Sequence, residues 1–298
     1  MFLCAASAES AQTIRQYSVG NSLTGINFQN YAAAAASRGN TATWGLHLQP
    51  GATLDFILQT PSNGQTISEQ PYGTYNNALA NYTWDAVVVE PFNRALGGAT
   101  GDLNNVHNFV NLIQPQSPNA QLYIYETWPT KNAGDGSLNY HDWWLANYDG
   151  TDDITVRSRS FFDNLMTQLR ATSPSLSKPA LMIPAGEVLF DLNERMHAGQ
   201  IPGYTDISSF YADDIHPNSL GWYTSALTWY ATIFKDDPHG LSGAPWGVTD
   251  PVITAAIQDS VWNVVSTNAW TGVPEPASMG LLAIVSIATL GARRRTRV

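Results

Sequence analysis

Residues 14–24 have the sequence IRQYSVGNSLT, in which an apolar run ends at a glycine and a polar turn. The run Ile14–Val19 favours a buried β-strand, because β-branched and aromatic residues pack well on a pleated surface. The turn Gly20–Thr24 then places Ser22 at the start of a predicted helix, where backbone N–H groups favour developing negative charge. Taken alone, the turn favours a simple helix cap as the role of Ser22.

The same alternation of strand and helix continues along the body of the chain. Short apolar runs predict strands at 14–19, 43–48, 86–89, 121–125 and 180–183. Longer amphipathic stretches predict helices near 25–37, 102–114, 153–171, 187–198 and 217–234. Runs as apolar as Ala86–Val89 are typical of central parallel strands. The sequence therefore predicts an α/β fold with a doubly wound, mostly parallel five-stranded sheet and helices on both faces.

A second turn with reactive side chains precedes the last long predicted helix. Residues 213–218 have the sequence DDIHPN, with Asp213 and His216 three positions apart. Acyl transfer needs a hydroxyl, an imidazole that takes its proton and a carboxylate that orients the imidazole. Asp213 and His216 can supply the last two, and ligand sites in such sheets lie beyond the carboxyl ends of the strands.

Together, and in this order, the two turns resemble those of the SGNH (GDSL-like) hydrolases, particularly members with Gly-Asn-Ser in the first block. The resemblance extends over about residues 13–235 and implies a flavodoxin-like fold and ester hydrolysis. It implies that Ser22 is the nucleophile and His216 the base. Asp213, rather than its neighbour Asp214, would orient the base.

The resemblance also implies an oxyanion hole made of the Ser22 N–H, the Gly51 N–H and the Asn93 side-chain amide. Asn93 lies in the block EPFNR, which departs from the Gly-x-Asn-Asp of the family at Pro91 and Arg94. An ordinary turn residue is the alternative for Asn93, and an ordinary loop glycine is the alternative for Gly51.

Acidic and aromatic side chains near the predicted strand ends are candidates for substrate binding. Glu90, Glu126 and Glu187 follow the third, fourth and fifth predicted strands, and a pair of them would suit a glycosidase. Structural hydrogen bonding is the alternative for each of the three. Trp143 and Trp144 lie in a polar stretch, where they could form either a substrate wall or a packed lid.

Composition limits the remaining possibilities. The 298 residues carry a formal net charge of -10 with a pI near 4.8, which argues against a nucleic-acid partner. The single cysteine, Cys4, excludes an internal disulfide and a cysteine-based zinc site. The histidines lack metal-binding spacing, so neither a metal nor another cofactor is expected.

Both ends of the chain have the features of targeting segments. Residues 1–8 are apolar and end in Ala-Ser-Ala, as in a truncated signal peptide. Residues 273–298 combine Pro-Glu-Pro, an apolar run and a cluster of arginines, and they resemble a PEP-CTERM sorting signal. The apolar helix would span about 24 Å, so it predicts a short transmembrane segment that anchors the chain before processing.

This organisation gives four predicted regions, which are a signal remnant at 1–8, a hydrolase domain at 9–240, an extension or linker at 241–272 and the sorting signal at 273–298. The resemblances imply export in a Gram-negative bacterium, with an exosortase-like processing partner at the tail. The expected activity is that of an exported serine ester hydrolase that deacetylates or deacylates an extracellular carbohydrate. A non-catalytic carbohydrate-binding or matrix protein on the same scaffold and a glycosidase are the alternatives.

Overall fold

The computed structural model describes residues 11–68, 71–132, 139–151, 154–173 and 176–274. The strands in these ranges are β1 Thr13–Gly20, β2 Thr41–Leu48, β3 Gln65–Ser68, β4 Ala86–Val89, β5 Gln121–Glu126 and β6 Leu181–Pro184. The helices are α1 Phe28–Ser37, α2 Leu54–Gln59, α3 Tyr75–Asn81, α4 Asp102–Ile113, α5 Tyr140–Trp144, α6 Arg159–Thr172, α7 Ala185–His197, α8 Ser219–Phe234 and α9 Pro251–Thr267.

The strands form one sheet in the order β3-β2-β1-β4-β5-β6. β1, β2, β4, β5 and β6 are parallel, and β3 pairs with β2 in the antiparallel sense. The predicted α/β fold with a mostly parallel sheet is therefore confirmed, whereas the predicted count of five strands is wrong. The sixth strand, β3, is polar and mostly exposed at the sheet edge, so no apolar run marks it in the sequence.

Helices cover both faces of the sheet. One apolar core joins α1, α7, α8 and α9 to side chains such as Val88 and Tyr125, and the other joins α2, α3, α4 and α6 to side chains such as Val87 and Ile124. Adjacent residues of β4 thus point into opposite cores, because successive side chains of a strand alternate between its faces. Burial on both faces explains why β4 consists entirely of apolar residues.

Residues 241–272, predicted as an extension or linker, pack as part of the same hydrophobic body. Within this segment α9 contacts α7, α8 and β6, and its Ile257 and Val261 are fully buried. Asp250 caps the start of α9 by accepting a hydrogen bond from Val252 N at 2.9 Å. The correction has a physical cause, because the apolar stripe of α9 completes the core beside α8.

The chain order of the strands determines where a site can form. β1 has β2 on one side and β4 on the other, so the chain reverses its direction of winding at the β1–β4 boundary. Crevices beyond the carboxyl ends of strands at such a switch point are the usual ligand sites of open α/β sheets. Ser22 follows β1, and Glu90 to Asn93 follow β4.

The predicted targeting segments lie largely beyond the described ranges. The signal remnant at 1–8 and the short transmembrane segment near the C-terminus fall outside the described residues. Within residues 11–274, apart from the undescribed gaps, the helices include none that is long and apolar enough to cross a membrane.

Candidate active site

Ser22 lies in a tight turn directly after β1. The turn is a single 3-10 segment, Ser22–Thr24, and Asn21 caps it by accepting a hydrogen bond from Leu23 N at 2.9 Å. The sequence predicts that a helix runs from residue 25, but α1 begins at Phe28 after a second cap, at Asn27. Ser22 therefore belongs to a separate short turn and not to the N-terminus of a long helix.

His216 lies in a loop that precedes α8 and is held from several sides. Asn218 caps α8 through the backbone N–H of Leu220 at 2.9 Å. Trp128 donates its indole N–H to Ile215 O at 3.0 Å, and Lys131 N donates to Asp214 O at 2.9 Å. These bonds join the loop to the segment that follows β5, so the position of His216 depends on residues 80 or more positions away in the sequence.

Ser22, His216 and Asp213 form a continuous hydrogen-bonded chain. His216 Nε2 lies 2.9 Å from Ser22 Oγ, and His216 Nδ1 lies 2.8 Å from Asp213 Oδ2. A carboxylate only accepts hydrogen bonds, which assigns the ring hydrogen to Nδ1 and leaves Nε2 as the acceptor for the Ser22 hydroxyl. The two turns that the sequence analysis links are therefore in direct contact.

The Asp213 carboxylate is exposed to solvent and is stabilised in its ionised form by hydrogen bonds. Its Oδ1 accepts hydrogen bonds from His216 N at 2.8 Å and from Ile215 N at 2.9 Å. These backbone donors, together with the His216 side chain, lower the pKa of Asp213 to about 2. Among the described residues Asp213, and not the Asp214 side chain, bonds the imidazole at Nδ1.

The predicted oxyanion donors follow the two strands that flank β1. Gly51 has a φ of 67°, and Asn93 has a φ of 53°, which is rare for a residue with a side chain. In the described part of the chain, neither the Gly51 N–H nor the Asn93 amide donates a hydrogen bond to the protein. Asn adopts this left-handed conformation more readily than most residues with a side chain, so the backbone here fits a turn that leaves the amide available to a ligand.

Arg94, which replaces the usual acid of this block, has a structural partner. Its Nε lies 3.1 Å from Asp55 Oδ1 in α2, and the hydroxyl of Thr53 also bonds Asp55. The ion pair joins the turn after β4 to the segment that follows Gly51. It thereby ties together the two loops that carry the predicted oxyanion donors.

Each of the three strand-end glutamates accepts hydrogen bonds from protein donors. Glu90 and Glu126 are each 1% exposed, and burial is the main cause of the raised pKa of both. Glu126 accepts a hydrogen bond from Glu187 N at 2.9 Å. Glu187 is engaged by Arg159 at 2.6 Å and by the indole N–H of Trp144 at 2.8 Å. The structural alternative therefore describes these side chains better than substrate binding does.

Trp143 and Trp144 are buried as well. Trp143 is 2% exposed and stacks beneath the guanidinium of Arg157 at 5.2 Å, and Trp144 is fully buried. Neither ring faces solvent, so the substrate-wall prediction is wrong and the packed alternative holds. A polar stretch of sequence does not show this burial, which places Trp144 in the core of α2, α3, α4 and α6 and Trp143 against Arg157.

Comparison with known proteins identifies the tail. Residues 272–295 match the PEP-CTERM protein-sorting motif. The predicted sorting signal is thus confirmed. No match was found among curated proteins.

Several solved structures are similar to the body of the chain. A DUF4886 family protein from Bacteroides uniformis matches with a TM-score of 0.58 and 19% identity over 89% of this chain and 99% of its own, a likeness that shows the fold alone. A family 3 carbohydrate esterase from Clostridium thermocellum matches with a TM-score of 0.45 and 18% identity over 75% and 96% of the two chains. A member of the lipolytic protein G-D-S-L family from Veillonella parvula matches with a TM-score of 0.42 and 14% identity over 76% and 100%.

Proposed function

We propose that the chain is an exported serine ester hydrolase that works through an acyl-enzyme. The observation that carries the proposal is the chain of contacts from Ser22 Oγ through His216 to Asp213, with distances of 2.9 Å and 2.8 Å. A serine activated by an oriented imidazole is the constellation that acyl transfer requires. Its place at the β1–β4 switch point, where open sheets bind ligands, supports the same function.

In the first half of the reaction Ser22 Oγ attacks the ester carbonyl carbon while His216 Nε2 takes the hydroxyl proton. The imidazolium that forms is stabilised by the ionised Asp213. The tetrahedral intermediate collapses, the C–O bond to the alcohol breaks, and His216 returns the proton to the departing alkoxide oxygen. Water then attacks the acyl-enzyme with His216 again as base, which releases the acid and restores Ser22.

Negative charge develops on the carbonyl oxygen in both halves of the reaction. The N–H groups of Ser22 and Gly51 and the amide of Asn93 are the proposed donors for this charge. Donors that are already in position cost no reorganisation at the moment of reaction, which is why each is worth about 2.7–4 kcal/mol in related sites. The unbonded state of the Gly51 and Asn93 donors supports this role.

The sorting motif supports export, anchoring before processing and recognition of the tail by exosortase-type machinery. We infer that an acetylated or acylated extracellular polysaccharide is the substrate, because export would place the active site outside the cell. The chain carries a net charge of -10, which does not suit a phosphate-rich partner such as nucleic acid. The glutamates that a glycosidase would need accept hydrogen bonds from protein donors, which does not favour that alternative.

A fluorophosphonate probe tests the proposal directly, because it phosphonylates only an activated serine. We expect labelling at Ser22 and loss of both labelling and short-chain p-nitrophenyl ester hydrolysis in Ser22→Ala. Ser242→Ala, which removes an exposed hydroxyl in the loop before α9, is the matched control and should label as the wild type does. Absence of label in the folded wild-type chain would favour a non-catalytic carbohydrate-binding protein.

Intact-mass analysis of the surface form in the native host tests the proposed processing. The mature chain should lack the arginine cluster Arg293–Arg295. A surface form that still ends at Val298 would show that the tail is retained.

A further inference from the structure

Glu90 is a buried acid that the proposed reaction does not use. It is the first residue after β4, and its backbone N–H donates to Val19 O in β1 at 3.0 Å. Its side chain is 1% exposed, so it cannot contact a substrate. It therefore acts on its protein neighbours.

Those neighbours are the residues on either side of the proposed nucleophile. One carboxyl oxygen, Glu90 Oε2, accepts hydrogen bonds from Asn21 N at 2.9 Å and from the hydroxyl of Thr24. Asn21 precedes Ser22 directly, and Thr24 is the last residue of the same turn. A single atom of Glu90 thus holds both ends of the turn that carries Ser22.

The packing around this contact leaves little freedom. A Cβ added at Gly20 would collide with Thr24 Oγ1 and with the Glu90 carboxyl, so a glycine is required where β1 meets the turn. Asn21 and Thr24 are themselves buried, with 1% and 0% of their surface exposed. Without Glu90 their two donors would have no acceptor inside the core, which is costly for buried polar groups.

The pKa of Glu90 fits its place against the turn that carries Ser22. Burial, opposed by the hydrogen bonds from Thr24 and Asn21, raises the pKa of Glu90 to about 8. The raised pKa favours a neutral carboxyl, which can still accept both hydrogen bonds through one oxygen.

We propose that Glu90 is a positioning residue for Ser22: it holds the turn Asn21–Thr24 so that Oγ reaches His216 Nε2 and the Ser22 N–H stays free for the oxyanion. This role rests on the proposed ester hydrolysis. It distinguishes Glu90 from Glu126, which follows the neighbouring strand and bonds the backbone of α7 instead.

Three variants of the full chain test the role. Glu90→Ala removes the acceptor, and Glu90→Gln keeps an oxygen at the same distance from the backbone. Asp85→Ala is the matched control. Asp85 accepts a hydrogen bond from Arg15 N at 2.8 Å and so joins the same two strands, β1 and β4, at their amino-terminal ends. Each is compared with the wild type and with Ser22→Ala by steady-state hydrolysis of a p-nitrophenyl ester, by the rate of fluorophosphonate labelling and by thermal melting.

We expect Glu90→Ala to lower kcat by about 100-fold with KM within about twofold, since misplacing a reacting group by about 1 Å costs that much. Labelling should slow in parallel. Glu90→Gln should recover most of the loss, and Asp85→Ala should keep wild-type kcat. A destabilised core residue would lower the melting temperature without this split between kcat and KM.

If Glu90→Ala does not fold, Thr24→Val supplies the test, because it removes one of the two donors and keeps the branched shape. A drop in kcat at constant KM in Thr24→Val then supports the role. Wild-type kcat in Glu90→Ala or Thr24→Val, or a loss that Glu90→Gln does not recover, would overturn it. If the wild type is no more active than Ser22→Ala, the proposed hydrolysis fails and this role fails with it, whereas an active wild type with unaffected variants overturns the role of Glu90 alone.

Discussion

His216 and His239 stand in similar local settings and differ in the group that their second ring nitrogen contacts. Both lie in loops beside α8, and each places Nδ1 against an aspartate just upstream in the sequence, Asp213 for His216 and Asp237 for His239. The difference is at the other ring nitrogen. His216 Nε2 faces the Ser22 hydroxyl at 2.9 Å, whereas His239 Nε2 faces Asp259 Oδ1 at 3.0 Å.

The group that contacts Nε2 determines whether each imidazole can act as a base. For His239 burial alone would lower the pKa, but the hydrogen bonds and charges of Asp259 and Asp237 outweigh it and the pKa is raised. Two carboxylates favour the protonated form of the ring, which joins its loop to α9. A ring held between a carboxylate and a hydroxyl keeps an acceptor nitrogen, which is the condition for a general base.

The largest expected effect comes from removing each imidazole in turn. His216→Ala should lower kcat for a short-chain ester by about 10⁴- to 10⁶-fold, as loss of a triad member does in serine hydrolases. His239→Ala, which removes an imidazole of the same kind, should keep wild-type kcat. Equal losses in the two variants would break the comparison, because they would show that His216 matters only for folding.

The two aspartates provide the next test. Asp213→Asn should lower kcat by about 10⁴-fold, since an amide no longer favours the tautomer with its hydrogen on Nδ1. Asp237→Asn should leave kcat unchanged, because its histidine has no serine to activate. A mild effect of Asp213→Asn, comparable to that of Asp237→Asn, would contradict the assignment of Asp213.

The third prediction concerns Asn93 and asks whether its amide is an oxyanion donor beside the triad. Asn93→Ala should lower kcat by about 100- to 1,000-fold, with KM and melting temperature nearly unchanged, because an oxyanion donor acts only as charge develops. Steady-state kinetics and a thermal melt of the same preparation check this. A lower melting temperature with full turnover would mean that Asn93 is a turn residue, and the third donor would have to be sought elsewhere.

The smallest expected effect concerns stability at His239. Because its pKa is raised in the folded state, its contribution to stability is fully present below the pKa of the unfolded chain and is lost as pH rises through the folded pKa. The exposed setting limits the effect, so His239→Gln should lower the melting temperature by about 1–2 °C at pH 5.5 and by less at pH 8.5. The same loss at both pH values would show that packing, and not charge, is what His239 contributes.

Several elements of the fold could be predicted because they bury apolar surface in a regular pattern. The strands at 86–89 and 121–125 and the helix at 102–114 differ from β4, β5 and α4 by no more than one residue at either end. The polar edge strand β3 and the short helix α3 lack such a pattern, so neither could be predicted from the sequence. The inclusion of 241–272 in the body was also missed, because it depends on α9 filling a gap beside α8.

For the site, too, local motifs could be predicted, whereas the direction in which a side chain points could not. Ser22, Asp213 and His216 could be selected because two short motifs in a fixed order resemble one hydrolase family. For Glu90 the sequence left substrate binding and structural hydrogen bonding open, since a strand-end acid in the sequence does not show whether it faces a crevice or bonds the neighbouring turn. Trp143 could not be assigned, because a polar stretch of sequence does not show which way its rings point.

The sequence by itself therefore determined the alternation of elements, the sorting motif and the two reactive turns, since these are local patterns of apolar spacing and residue type. Only the tertiary structure decided which groups meet, because the order of strands in the sheet brings the end of β1 beside the end of β4 and against the loop before α8. The aspartate partner of each histidine is local in sequence, but its second partner lies 194 residues away for His216 and 20 residues away for His239. Contacts across such distances depend on how the elements pack, and here they separate a candidate base from an exposed histidine held between two carboxylates.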